Sequence, residues 1–390
     1  MKYSIFGLFF LCIISLLSAQ PICEVKEFSA NDGLAQSIVT GIRQDRKGFL
    51  WLSTWNGINK FDGYTFKNYK PSSQKEFAER NNRITFMAET LDGNIWCQTY
   101  DSKAYIFDCQ KEIFVDVLQE TEKEIQKNIL VRHIYTFDDG VAWVVCEDGY
   151  CFRVNELHHD EKDSLTLYNT FNGGLKGNHI LNIFQDSDKD EWILTDKGVT
   201  IIGDKKINND FPFKLLHEHQ GKIYLLSTSE KLAVYLPDKE SVRFMEIPFP
   251  VNALYSLTSL RNNLLALATD NGVILYDPTA DTFRQIDVKT KTQPSNIVLS
   301  IYEDKVGDCW VFTSSLGVMR INLETGEKQH LFTPEDEVVD YGRDSRNLIF
   351  EDNQGTLWVL PSKGNLGYFD REVKQLKTFY TESNNPLSSF

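Results

Sequence analysis

The sequence predicts an all-β chain built as a β-propeller, on three observations. The stretch Gly33–Tyr69 reads as four short strands joined by tight turns, its skeleton returns seven more times, and no amphipathic helix of any length breaks the series. Periods of about 40–50 residues with four strands each are the mark of propeller blades.

Each strand of the first unit has a local reason. Ile38–Ile42 is a β-branched run, closed by the turn Asp45-Arg46-Lys47-Gly48, whose glycine is free to take positive φ. Phe49–Thr54 is apolar almost throughout, as in a strand covered on both faces. Trp55-Asn56-Gly57 is an Asn-Gly hairpin turn leading to Ile58–Phe61. After Asp62-Gly63, the alternating aromatic and polar residues of Tyr64–Tyr69 make a fourth strand. A lone meander of this kind exposes both faces and is marginal in water, so it needs neighbours.

The neighbours are its copies. With Trp51 as anchor, the equivalents are Trp96, Trp143, Trp192, Tyr224, Ala266, Trp310 and Trp358, at separations of 45, 47, 49, 32, 42, 44 and 48. Nine residues before the anchor stands an apolar residue: Ile42, Met87, Ile134, Ile183, Leu215, Leu257, Ile301 or Ile349. Three before it is glycine, replaced by Lys189 and Asn263 in two units. Three after it is Thr or Ser, with Cys146 and Pro361 departing, and six after it glycine recurs. A large aromatic in the second strand fills the gap between adjacent blades, so the Trp series is structural.

Val25–Phe28 matches a fourth strand and is expected to close a ring onto the seventh unit, Asn296–Asn322. That reading predicts a leader at 1–19, a seven-bladed propeller over 20–334 and the truncated start of a second propeller over 335–390. A single eight-bladed ring is the alternative. The 32-residue step at the fifth unit implies very short connections there. Gln119–Gln126 and Glu156–Asp163 read as charged loop inserts, and Asn384–Phe390 as the approach to a ninth unit.

The 390 residues are 42% apolar and 13% aromatic, enough for a large core, and the formal charge is −14. Scattered acidity argues against a nucleic-acid or anionic-lipid surface and reads as solubility. Residues 1–19 carry Lys2, an apolar run Ile5–Leu17 and a small-residue site Leu17-Ser18-Ala19, the pattern of a secretory signal. Export permits disulfides among Cys23, Cys97, Cys109, Cys146, Cys151 and Cys309. Cys146 and Cys151 flank a turn that would set them facing each other across a hairpin, although cross-strand geometry is often poor for a bridge.

Chemistry-bearing motifs are few. No phosphate loop, Gly-x-Ser-x-Gly elbow or His-Glu-x-x-His pair occurs. Asp186-Ser187-Asp188-Lys189-Asp190-Glu191 alternates carboxylates as calcium loops do but lacks their glycine and distal glutamate, so a solvated acidic turn is the better reading. His217-x-His219 and His158-His159 lack a third metal ligand at a readable spacing. Catalytic residues, metals and cofactors are therefore expected to be none. Ligand-facing positions are the loop entering strand one and the turn between strands two and three. There Trp55 and Tyr100, each four after its anchor, and Arg83 and His179, each thirteen before, offer flat aromatic platforms and polar groups suited to sugar hydroxyls.

Two resemblances follow from these motifs. Asp45-x-x-Gly48-x-x-Trp51 resembles the aspartate-box turn of sialidase propellers, a structural device, with no catalytic set that matches. The run Gly33-Leu34-x-x-Ser37-x-Val39-x-x-Ile42-x-x-Asp45-x-x-Gly48-x-Leu50-Trp51-Leu52-x-Thr54-x-x-Gly57-Ile58-Asn59-x-Phe61-Asp62-Gly63 closely resembles the two-component-regulator propeller repeat. Asn178-His179-Ile180-x-x-Ile183-x-x-Asp186 and Asn296-Ile297-Val298-x-x-Ile301-x-x-Asp304 repeat it. The resemblance covers about residues 25–380 and implies the periplasmic sensor of a hybrid two-component histidine kinase, a non-enzymatic region that binds an oligosaccharide. It also implies a homodimer in the full receptor, attachment to the inner membrane only through a downstream helix, and control of polysaccharide-utilisation genes. A stand-alone secreted binding module and, less favoured, a propeller lyase or glycosidase are the alternatives.

Overall fold

The computed structural model describes residues 26–378 apart from 148, 159–163, 173, 209, 292–293, 314–317, 324, 332–348 and 360–366. The expected leader, Cys23, His159, the boundary near 335 and the tail from Asn384 lie outside the described residues. Eight antiparallel meanders follow one another at 39–69, 84–116, 131–168, 180–202, 213–244, 254–286, 298–330 and 349–378, each with its strands hydrogen-bonded in chain order. Seven have four strands and the fourth has three. These are propeller blades. Five lie in one compact body, Lys26–Pro248, and three in another, which spans Phe249–Phe390.

The first blade shows why the repeat folds as it does. It comprises β1 (Val39–Gln44), β2 (Leu50–Thr54), β3 (Gly57–Phe61) and β4 (Phe66–Tyr69). Gly48, in the turn before β2, has φ 88°, and the same left-handed conformation recurs three before every anchor, including Lys189 at 71° and Asn263 at 64°. The glycine of the repeat is thus a turn requirement, met at a cost in two blades by other residues. Asp45 holds this turn: its Oδ1 accepts from the N–H groups of Lys47 and Phe49, and its Oδ2 accepts from Trp51 Nε1 at 2.8 Å. Asp186, Asp304 and Asp352 do the same for Trp192, Trp310 and Trp358. Blades two and three lack that aspartate. Their indoles donate instead to a glutamate of the following blade, Trp96 to Glu156 and Trp143 to Glu191, both at 2.6 Å.

Between blades the core is built from the anchor of one and the strand-one residue of the next. Trp51 shares a cluster with Met87, Trp96 with Ile134, Trp143 with Ile183, Trp192 with Leu216, Ala266 with Ile301 and Trp310 with Ile349. In the fifth blade the turn between the first two strands is one residue shorter, Glu218 pairing with Ile223 where Glu89 pairs with Ile95, so Leu216 rather than Leu215 is the inward residue. The eighth meander therefore packs on the seventh as the seventh packs on the sixth. In the first blade Ile42 is 57% exposed, whereas Met87 and Ile134 at the same position are buried.

The structure corrects several sequence readings. Residues 26–28 form no strand; Phe28 packs edge-on against Phe61 and Phe66. Gln119–Ile125, read as a charged loop, is a helix, α1, made of good helix formers and closed by Gln126 in the left-handed conformation. The 32-residue step at the fifth anchor goes with a fourth blade that has three strands among the described residues, rather than with short connections alone. Beyond Gly198–Ile202 the chain leaves the sheet, and a cleft of about 320 Å³ opens between Val199–Ile201 and Lys205–Asn208. Cys97, Cys109, Cys146, Cys151 and Cys309 are not joined in disulfides. Cys151 pairs with Val145, one residue short of Cys146, so the pleat sends the two sulfurs to opposite faces, Cys146 toward blade two and Cys151 toward blade four. No described helix is long and apolar enough to cross a membrane.

Candidate functional site

One hydrogen bond, repeated from blade to blade, positions the candidate residues. The N–H four after the anchor donates to the carbonyl at the strand-one entry: Trp55 to Ile38, Tyr100 to Arg83, Glu147 to Leu130, Asp196 to His179 and Thr228 to Pro212. The hydroxyl three after the anchor caps the same turn, with Thr54 donating to the Gly57 carbonyl and Thr195 to that of Gly198. Each blade of this body therefore presents two adjacent side chains at one end. The barrel of the blade is generic; the occupants of this pair are not.

Three of the four expected residues come together. The Arg83 guanidinium carbon lies 4.0 Å from the centre of the Trp55 ring and 4.4 Å from that of Tyr100, a cation between two aromatic faces. Trp55 is 40% and Tyr100 61% exposed, so the outer faces of both rings meet solvent. The backbone around Arg83 is pinned on both sides. Its N–H donates to Asn81 Oδ1, the Asn82 carbonyl accepts from Gly57 N–H, and Asn82 Oδ1 accepts from Ser72 N–H. Arg83 Nε is buried and without an acceptor.

His179 belongs to a different pair. Its Nδ1 is 3.3 Å from an Arg132 terminal nitrogen, which, as the arginine can only donate, makes Nδ1 the acceptor. Arg132 also reaches the Ile180 carbonyl at 3.5 Å, and His179 N–H donates to Asp196 Oδ1. Arg132, Glu147 and Asp196 were missed in the sequence, although Glu147 and Asp196 stand four after their anchors and the same spacing rule finds them.

The acidic turn 186–191 is occupied by this chain's own cation. Lys205 Nζ lies 3.0 Å from Asp186 Oδ2, 2.7 Å from Asp188 Oδ2 and 2.9 Å from Asp190 Oδ2. Burial disfavours the Lys205 charge, but these hydrogen bonds outweigh it and hold the ammonium well above the ordinary lysine range. Among the described residues no group of three or more His, Cys, Asp or Glu side chains is arranged to hold a metal ion.

The second blade, formed by β5 (Ile84–Glu89), β6 (Ile95–Thr99), β7 (Ala104–Asp108) and β8 (Ile113–Asp116), carries a further tension. Tyr105 and Asp116 are cross-strand partners, and Tyr105 Oη and Asp116 Oδ2 are buried without hydrogen-bond partners. Arg80 is 3.7 Å from that carboxylate oxygen, beyond hydrogen-bond reach. Burial pushes the Asp116 carboxyl up to about 6 from its ordinary 3.8, against the opposing bond from Leu118 N–H. Between those values the folded chain holds a proton that the unfolded chain has released, so stability falls as pH rises through the window. Asp116→Asn keeps an acceptor for Leu118 and removes the charge. Urea unfolding should show a gain on the order of 2–3 kcal/mol at pH 7 and little at pH 4; equal effects at both would refute the assignment.

Comparison with known proteins bears on the first blade. Residues 33–56 match the family model described as a two component regulator propeller. The chain carries that repeat. A 63-residue stretch is 48% identical to "Histidine kinase P4" of Formosa agariphila, covering 16% of this chain and 5% of that protein. Among solved structures, similarity extends to the extracellular domain of a protein described as the hybrid two component system BT3049 of B. thetaiotaomicron. Identity there is 18% and the TM-score 0.42, over 92% of this chain and 55% of that one. The extracellular domain of BT4673, described as a one component system of the same organism, aligns at 16% identity and TM-score 0.41, over 87% and 52%. Virginiamycin B lyase from Staphylococcus aureus aligns at 16% identity and TM-score 0.41, over 65% and 84%. The chain spans a little over half the length of the first two.

Proposed function

We propose that this chain is the ligand-sensing propeller region of a periplasmic receptor of the hybrid two-component histidine kinase type, and that it recognises an oligosaccharide. The regulator-type repeat at 33–56 and the local identity to a histidine kinase support the receptor reading. The site reading rests on one observation: Trp55 and Tyr100 project from adjacent blades with exposed outer faces and a guanidinium between them. Flat aromatic faces beside in-plane donors are the chemistry that stacks on a pyranose ring and bonds its hydroxyls. In this reading the chain has no catalytic step of its own. Occupancy favours one receptor geometry over another, within a homodimer held to the inner membrane by a helix elsewhere in the receptor, and polysaccharide-utilisation genes respond. Such a switch requires the glycan to bind one state better than the other.

Calorimetric titration of the chain with a panel of oligosaccharides tests this. At least one should bind and raise the melting temperature, and chromatography should recover it uncleaved. Trp55→Ala should weaken binding about tenfold or more with an unchanged unfolding transition. Binding by no member of the panel, or cleavage of the sugar, overturns the proposal.

A further inference from the structure

Several arginines of this chain are held through their guanidinium by carboxylates and others by backbone carbonyls, as Arg261 is by Lys305 and Asp304. Arg153 is locked on Glu191 and Arg320 on Asp308, both at 2.7 Å, and Arg371 on Asp304 at 2.9 Å. Arg83 is different. Among the described residues its guanidinium has no carboxylate partner, and its Nε is buried with no acceptor. Its guanidinium carbon lies 4.0 Å from the Trp55 and 4.4 Å from the Tyr100 ring centre, and neither ring supplies it a hydrogen-bond acceptor. A guanidinium stacked in this way keeps its in-plane N–H donors for another group. The fork they form matches the two oxygens of a carboxylate or a sulfate. The side chain is also pre-ordered: the backbone of Asn81–Arg83 is tied to Gly57, Ser72 and Tyr100, so little freedom is lost on capture.

We infer that the ligand of this face carries an anionic group and that Arg83 receives it, which makes the recognised glycan an acidic one, a uronate or a sulfate ester. This rests on the glycan reading above and narrows it. The chain's formal charge of −14 gives an anion no long-range attraction. Recognition is therefore local, set by the clamp, and strongest at low salt.

The test is calorimetry on the chain with three probes: an oligogalacturonide, a sulfated galactan oligosaccharide and neutral cellohexaose. One acidic probe should bind, and added salt should weaken it. Arg83→Gln should lower its affinity at least about tenfold, with Arg83→Lys recovering part of the loss because charge returns without the fork. The acidic probe that binds identifies the anion as carboxylate or sulfate. If cellohexaose binds and the acidic probes do not, or Arg83→Gln leaves acidic binding unchanged, the anion assignment fails while the glycan reading stands. Binding by none of the three defeats both. Near-UV circular dichroism checks each variant's fold; should Arg83→Gln not fold, the Arg83→Lys comparison with wild type decides, since loss of the fork alone should weaken an acidic probe several-fold.

Discussion

Trp96→Ala should cost about 3–5 kcal/mol in urea unfolding, among the largest effects open to a single substitution in this chain. The indole is fully buried between blades two and three, in one cluster with Ile106, Ile134, Val144 and Phe152, so its removal leaves a cavity that two packed sheets cannot close. It also withdraws the donor from Glu156 Oε1, a carboxylate that is itself buried and whose other acceptor oxygen takes Leu91 N–H. Burial already pushes the Glu156 carboxyl above its ordinary range, a sign that its charge is held there with difficulty. Trp96→Phe is the intermediate case: it keeps a six-membered ring in the cluster but loses the N–H donor and part of the indole volume, for about 1–3 kcal/mol. A Trp96→Ala transition within about 1 kcal/mol of wild type would remove the anchor from its role in blade packing.

Lys205→Met should destabilise the chain by on the order of 2–3 kcal/mol, between the range for buried and exposed ion pairs. The ammonium is the common partner of Asp186, Asp188 and Asp190, and its loss leaves three carboxylates converging on an uncompensated space. Asp186 cannot turn away, because it also holds the Trp192 indole and the turn N–H groups of Asp188 and Asp190. A variant as stable as wild type would dismiss the lysine as the turn's counter-ion. The pH dependence has a definite sign. The Lys205 contribution is complete below the ordinary lysine pKa and is lost only as pH rises through its elevated value. For Asp190, burial works against the charge, but the Lys205 bond holds its carboxyl below the usual range. That contribution is lost as pH falls through the depressed value.

How far the sequence could be read depends on which residues carry the information. Trp55, Arg83 and Tyr100 were found by counting from the anchors, because strand register ties each to a fixed place at the blade end. Counting could not show that Arg83 lies between the two rings, since that depends on how closely blades one and two approach. His179 obeyed the same count and met a different partner, Arg132, from the neighbouring blade. The cysteines fail for a related reason. Their hairpin was legible, but an offset of one residue in pairing decides the face, and it separates Cys146 from Cys151. The acidic turn at 186–191 was visible as a run of carboxylates, whereas its counter-ion comes from Lys205, beyond the next two strands.

By itself the sequence determined the blade, the turn glycine and the place where side chains can vary. These are matters of local geometry, repeated every 32 to 49 residues, and period-two patterning with turn chemistry suffices to encode them. Tertiary structure alone decided the partners: which glutamate receives an indole where the aspartate is missing, which lysine fills the acidic turn, which arginine meets two aromatic rings. Such pairings join residues 15 to 60 positions apart on neighbouring strands and blades. No local rule carries them, because they exist only once one sheet is laid against the next.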